Sequence, residues 1–241
     1  MQILALLARQ AEPMPAGLIS AALELPRSTT YRLLGALIEH GFVSYLPEER
    51  RFGLGVVSFE LGSAYSRQMQ LRRIAQPVLN RLVDHVGQNA HLAVLHGSDV
   101  YYVIEERATG RPPLVSDVGV RLPATLTASG LAVLARLPAA QLRAIYPNAA
   151  ALVQRDGRGP GTLLALRSTL VEVRRRGFAL EENAVTPGLS SVGLPVLDHT
   201  GHPVAGLSVT FEADRVDETE QRRLVEAVRR AAEALTRRLG G

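Results

Sequence analysis

Cysteine and lysine are both missing from this chain of 241 residues. Without cysteine there is no disulfide framework and no thiolate metal site. Without lysine there is no Schiff-base nucleophile and no phosphate-cradling G-x-x-x-x-G-K-[ST] loop. No apolar run approaches the ~18–20 residues that span a bilayer. No basic segment or small-residue cleavage site turns Ile3-Leu4-Ala5-Leu6-Leu7 into a signal peptide, so that run reads as helix and a cytoplasmic location is expected. Charge of one sign is not concentrated either. All 27 basic residues are arginine and the net charge is +4, but residues 1–75 hold eight Arg against six Glu and the remainder carries about +2. Arginine in place of lysine fits a coding bias, although its planar fork still suits phosphate and carboxylate wherever it lies. Bulk charge therefore leaves no electrostatic footprint for nucleic acid on either part of the chain.

The informative pattern is in residues 15–54. Pro15–Leu23 carries apolar residues at helical spacing, with Leu18, Ala22 and Leu25 as its expected stripe. A break at Glu24-Leu25-Pro26 precedes a second helix opening at Arg27, with Leu33, Leu34, Leu37 and Ile38 expected to be buried and His40-Gly41 ending it. Opposite that stripe lie Ser28, Thr29, Tyr31, Arg32 and Gly35, the short donors and acceptors that base edges require. Phe42–Leu46 and Arg51–Leu54, joined by Pro47-Glu48-Glu49-Arg50, read as a two-stranded wing. The expectation is a winged helix-turn-helix. Thr29, Tyr31 and Arg32 would reach bases, and Arg27 and Ser28 would touch phosphate. Two plainer readings stay open: Ser28 and Thr29 as helix caps, and Arg50 and Arg51 as a solvated hairpin rather than phosphate or minor-groove contacts.

With 46% hydrophobic residues the rest can bury a core of its own. Residues 55–73 read as a linker helix with Val56, Phe59, Leu61, Ala64 and Tyr65 apolar; it either packs on the adjacent core or, through Phe59 and Tyr65, forms a dimer interface. Residues 74–241 read as mixed α/β. A helix at 74–86 leads to a hairpin, strands 90–96 and 100–106 around His96-Gly-Ser-Asp99. A helix near 127–136, a Gly/Pro-rich loop at 156–161 and a helix at 163–176 follow. A second hairpin, 191–197 and 203–211, flanks Asp198–His202, and an amphipathic helix over 217–239 covers the sheet.

Four stretches carry a family resemblance: Leu25–Leu34 with Gly41-Phe-Val43 and Arg51–Gly55; Val118–Pro123 leading into Thr127–Ala132; Leu170–Phe178; and Pro187–Val196. In this order and at these spacings the chain resembles the IclR family of bacterial transcriptional regulators over essentially its whole length. The resemblance implies an α+β protein of two domains: an N-terminal winged helix-turn-helix (1–54) joined by a helix (55–73) to a C-terminal GAF-like α/β domain for effector binding and oligomerisation (74–241). It further implies dimers or tetramers on palindromic operators, a small organic acid as effector, and repression or activation as the output. The chain departs from the family in starting within its first helix, which suggests a late start or a missing DNA-contacting arm, and in having Ser191 where members often carry cysteine.

The residues supply part of a ligand site on their own. Thr127-Ala128-Ser129-Gly130 opens a helix whose N–H groups can hold a carboxylate, or the threonine is an ordinary cap. Ser208 and Thr210 lie two apart on a strand and so share a face; they contact a ligand or are satisfied by neighbouring backbone. The resemblance adds Glu181, Leu189 and Ser191 to the effector contacts. A carboxylate at Glu181 would repel an anion unless it accepts from a ligand hydroxyl, which favours an acid bearing OH or carbonyl groups. No cofactor is expected. Asp198, His199 and His202 read as a solvated turn rather than a metal site. Gly188–Gly193 lacks the G-x-S-x-G spacing of a nucleophile elbow, so an enzyme is not expected. The alternative function is a small-molecule module whose helix-turn-helix makes protein contacts or binds DNA non-specifically.

Overall fold

A computed structural model describes residues 1–10, 12–111 and 118–239, with backbone alone for 63–70. The chain forms two compact units, Met1–Met69 and Gln70–Gly241. The first contains helices α1 (Gln2–Leu7), α2 (Ala16–Ala22) and α3 (Arg27–Glu39), then strands β1 (Val43–Leu46) and β2 (Arg51–Leu54). Its core is small: Ile3, Leu7, Ala16, Ile19, Leu34, Val43 and Phe52. On α2 the buried face is Ala16, Ile19 and Ser20, whereas Leu18 is exposed. On α3 it is Thr30 and Leu34, whereas Leu33 and Ile38 face outward. The expected stripes were too wide, because a unit this small has no further layer to cover them.

Between the two helices Leu25 N donates to the Ser20 carbonyl while Ser20 Oγ donates to the Leu25 carbonyl at 2.6 Å, closing the turn. Gly41 at φ +71° ends α3, a left-handed conformation that a side chain would strain. Strands β1 and β2 pair antiparallel from Val43↔Leu54 to Leu46↔Arg51. Met14 bridges to the other edge of β2, exchanging both backbone hydrogen bonds with Phe52 at 2.9 and 2.7 Å.

Helix α4 (Val56–Val86) is continuous through Pro77, so the expected linker helix and the helix at 74–86 are one element. The interface position Tyr65 and the apolar position Ala64 have side chains outside the described residues. The second unit continues with β3 (Asn89–His96), β4 (Asp99–Glu106), β5 (Arg121–Pro123), α5 (Ala128–Leu134), α6 (Ala139–Ile145), α7 (Leu163–Arg176), β6 (Ala179–Glu182), β7 (Leu189–Leu197), β8 (Pro203–Glu212) and α8 (Glu218–Leu239). Its sheet has the order β5-β4-β3-β8-β7-β6, with every described pairing antiparallel.

Strand alternation divides this unit into two cores. Leu207, Val209 and Phe211 of β8 and Val192 and Val196 of β7 pack with the later part of α4 and with α8. The opposite face carries α5 and α7 over Ala93, Val100 and Tyr102. Glycines bring α5 onto that face: a β-carbon at Gly206 would overlap the Ser129 backbone, one at Gly193 that of Ala128, and one at Gly130 that of Ala124.

Candidate functional site

In the first unit, Pro26 precedes α3 and no side chain caps it. The first-turn N–H groups of Arg27, Ser28 and Thr29 have no intrahelical acceptor in such a helix, and Thr30 is the first to bond back, to the Pro26 carbonyl at 2.9 Å. The hydroxyl that turns inward is that of Thr30, which donates to the same carbonyl at 3.2 Å. Ser28 and Thr29 are therefore not caps. Arg27, Ser28, Tyr31 and Arg32 are exposed and Thr29 is half-buried, so α3 presents a row of donors and acceptors at its open end.

The wing adds features that hydropathy patterning did not reveal. The Tyr31 ring stands edge-on to Phe52 at 6.5 Å between centroids, and Tyr45 lies 4.8 Å from Phe52 on its own side. This aromatic run ties the exposed face of α3 to the wing. Arg50 sits exposed at the tip beside Glu48 and Glu49. Arg51 is drawn back, donating to the Pro13 carbonyl at 3.3 Å and lying 3.4 Å from the Glu12 carboxylate. Of the two wing arginines, Arg50 is the more open to a phosphate.

In the second unit, the transverse rows of the sheet assemble a cleft. One row runs Asn89↔Thr210↔Ser191↔Glu181 and the next runs Glu105↔His91↔Ser208↔Gly193. Thr127, Ala128, Glu181, Leu189, Ser191, Ser208 and Thr210 line one narrow cleft. Tyr102, Val185 and Thr186 line it too, and the sequence reading missed them. Tyr102 could have been found, because it shares a strand face with Val100 on the α5 side. Val185 and Thr186 lie in a loop with no periodicity to read. Ser129 and Gly130 stand outside the lining. Gly130 packs on Ala124, and Ser129 is buried with its hydroxyl toward the Tyr102 phenol.

The threonine that opens α5 is an ordinary cap, with Thr127 Oγ1 accepting from Gly130 N at 3.1 Å. Ser191 Oγ and Thr210 Oγ1 are hydrogen-bonded to each other at 2.9 Å, so part of the hydroxyl demand is met across the strands. Glu181 is buried, and its Oε1 accepts from Ala184 N at 2.6 Å and Val185 N at 3.3 Å. Burial pushes its carboxyl above the ordinary range, against those N–H groups, which favour the charged form. Burial likewise pushes the Tyr102 phenol up to about 12, so it stays neutral near pH 7 and can both donate and accept. Among the described residues the lining has hydroxyls and one carboxyl but no cation.

Behind Tyr102 lies a buried ionic group. His91 meets the Tyr102 ring edge-on at 5.5 Å, and its Nε2 is 3.8 Å from Glu105 Oε1. Arg107 reaches the other Glu105 oxygen at 2.8 Å. Burial opposes ionisation of Glu105, but hydrogen bonds and charge from His91 and Arg107 outweigh it and hold the carboxyl down at about 2. Elsewhere, Asp198 Oδ1 accepts from Thr200 N, Thr200 Oγ1 and His202 N, which makes this residue a turn-former. Among the described residues no cluster could hold a metal ion, and no helix is long and apolar enough to cross a membrane.

Residues 1–47 match the family model of the IclR helix-turn-helix domain, and residues 63–237 match that of the bacterial transcriptional regulator IclR C-terminal. The chain is 32% identical over 245 residues to the HTH-type transcriptional regulator XynR of Escherichia coli strain K12, covering 100% of this chain and 95% of that protein. Among solved structures, the Thermotoga maritima IclR aligns with a TM-score of 0.65 at 27% identity, covering 100% and 96% of the two chains. An IclR homolog from Microbacterium hydrocarbonoxydans, complexed with 4-hydroxybenzoate, aligns with a TM-score of 0.65 at 22% identity, covering 99% and 96%; this likeness concerns the fold. The curated relatives are regulators of transcription rather than enzymes, as the sequence led one to expect.

Proposed function

Because this chain belongs to the IclR family of bacterial transcriptional regulators, we propose that its affinity for a specific operator is set by a small organic acid held in the cleft beneath α5. The observation that carries this reading is the convergence of Tyr102, Glu181, Ser191, Ser208 and Thr210 in one concave site. A site of hydroxyls and one raised carboxyl suits an acid that also bears hydroxyl or carbonyl groups, since a simple dianion would find no cation there. The complex of a fold relative with 4-hydroxybenzoate, a hydroxyl-bearing acid, supports the same class.

DNA contact is assigned to the open end of α3. Thr29, Tyr31 and Arg32 read bases, while Arg27, Ser28 and Arg50 touch phosphate and Arg51 supports the wing. A single winged module buries too little surface for strong operator binding, so a palindrome read by a homodimer follows. The first turns of α4 expose Val56, Phe59 and Leu61 and are the proposed contact between copies. The regulator acts in the cytoplasm, where its operator is. Effector binding shifts operator affinity by its differential affinity for two assembly geometries, typically about 1–3 kcal/mol.

Selection of genomic fragments by the purified protein at physiological salt, with and without 4-hydroxybenzoate and related hydroxy acids, tests the whole reading. An enriched palindrome whose binding changes with an acid, but not in Ser208→Ala, supports it. Salt-dependent binding without sequence preference would instead assign the helix-turn-helix to non-specific contact.

A further inference from the structure

A second concavity lies at the edge of the sheet, distinct from the cleft. Strand β6 pairs with β7 only from Ser190 to Gly193, so Leu194–Leu197 have no partner strand on that side among the described residues. Helices α7 and α8 flank this bare stretch, and the end of α5 closes the inner wall. The resulting groove, about 580 Å³, has Ala132, Val173, Ala179 and Leu194 among its floor residues. Those four are buried residues of the two cores.

The rim is basic. Arg136, Arg174, Arg229 and Arg237 stand around it with one carboxylate, Glu233. Arg174 is occupied, donating to the Ala135 carbonyl at the end of α5 at 3.1 Å. Arg229 lies 3.7 Å from Glu226, a loose pairing. Arg136 and Arg237 are exposed and have no ion pair among the described residues. A bare strand edge would ordinarily suit an added strand. Here Pro195 has no N–H to offer, and Leu197 N is bound to Thr236 Oγ1 at 3.0 Å. An extended peptide is therefore disfavoured, which leaves a compact occupant with an apolar body and a negative head.

We propose that this groove is a second ligand site, for an amphipathic monocarboxylate whose apolar body rests on Ala132, Val173 and Leu194 while Arg136, Arg229 and Arg237 hold its carboxylate. It stands whether or not the cleft is an effector site. Both sites draw on α5 and β7, the cleft at one end of the helix and the groove at the other.

Titration calorimetry of the full-length protein with 2-naphthoate, and with 2-naphthol as its uncharged counterpart, tests the assignment. The expected result is 2-naphthoate binding about tenfold or more tighter than 2-naphthol. That preference disappears in Arg136→Gln/Arg237→Gln and survives in Ser208→Ala/Thr210→Val. Equal affinity for the two probes overturns the proposal, as does binding lost only in the cleft variant. Sedimentation velocity of the same proteins without probe supplies a further check. An oligomeric state changed by the arginine substitutions would make the groove a contact between copies and overturn the small-molecule assignment, whereas an unchanged state supports it.

Discussion

The two units place their candidate functional groups in opposite environments. The N-terminal unit has, among the described residues, a core of seven buried apolar side chains and sets its candidate groups outside, on the exposed side of α3. The C-terminal unit has two cores around a sheet and sets its chemistry inside, between that sheet and α5. An exposed reading face can change with little cost in stability, whereas a buried cleft shares its residues with the packing. Mutations should therefore separate function from stability in the first unit and entangle them in the second.

The largest effect should come from Gly206→Val, because the added side chain meets the Ser129 backbone, which cannot rotate away. We expect a loss of about 3–5 kcal/mol in the C-terminal unit. Fragment-resolved amide exchange should show faster exchange there while α2 and α3 are unaffected. An unchanged unfolding midpoint would mean that α5 is held by something other than this contact. Next comes Leu34→Ala in the smaller core, at about 2–4 kcal/mol. In the same exchange experiment its damage should be confined to the N-terminal unit.

Arg32→Ala sharpens the comparison from the functional side. It should cost about 1–3 kcal/mol in specific binding, far less in non-specific binding at matched salt, and leave the melting temperature in place. Equal losses on both DNAs would remove Arg32 from base reading.

Acid dependence should reside in the C-terminal unit. Glu105 is held at about 2 against an ordinary 4.5, so its folded state favours the charged form. Its contribution is complete above about pH 4.5 and is lost as pH falls toward 2. Glu105→Gln should lower stability at pH 7 and flatten that acid limb in a denaturant series at stepped pH. Glu181 has the opposite sign: its raised carboxyl makes folding less favourable as pH rises through its folded value. The smallest effect is expected from Ser191→Ala, which removes the hydroxyl pair with Thr210 and a hydrogen bond to Glu181 and should cost about 0.5–1.5 kcal/mol by chemical denaturation.

Much of this architecture was legible from local signals. The turn before Arg27, the Gly41 stop, the wing and both hairpins depend on residues close in sequence, and they appear where turn chemistry put them. The family model then fits the order of those pieces. What escaped depends on contacts distant in sequence. Leu33 and Ile38 have the spacing of core residues, yet so small a unit leaves them 40% and 38% exposed. Strands β5 and β6 are three and four residues long, and they exist because β4 and β7 offer edges to pair with. In the cleft, the hydroxyl alternation on β8 was readable. The aromatic member, Tyr102, comes from another strand, and only the sheet order brings it near Ser208 through His91.

The close seating of α5 has a consequence for how ligand choice can diversify. At Gly130, Gly193 and Gly206 the helix meets its surroundings backbone to backbone, so its position there depends little on which side chains line the cleft. Substitutions at Tyr102, Val185, Leu189, Ser191 or Thr210 can then alter shape and polarity one position at a time over a fixed frame. A lineage that keeps the three glycines can exchange one small molecule for another with α5 still seated, although each exchange also alters the packing that its residue shares.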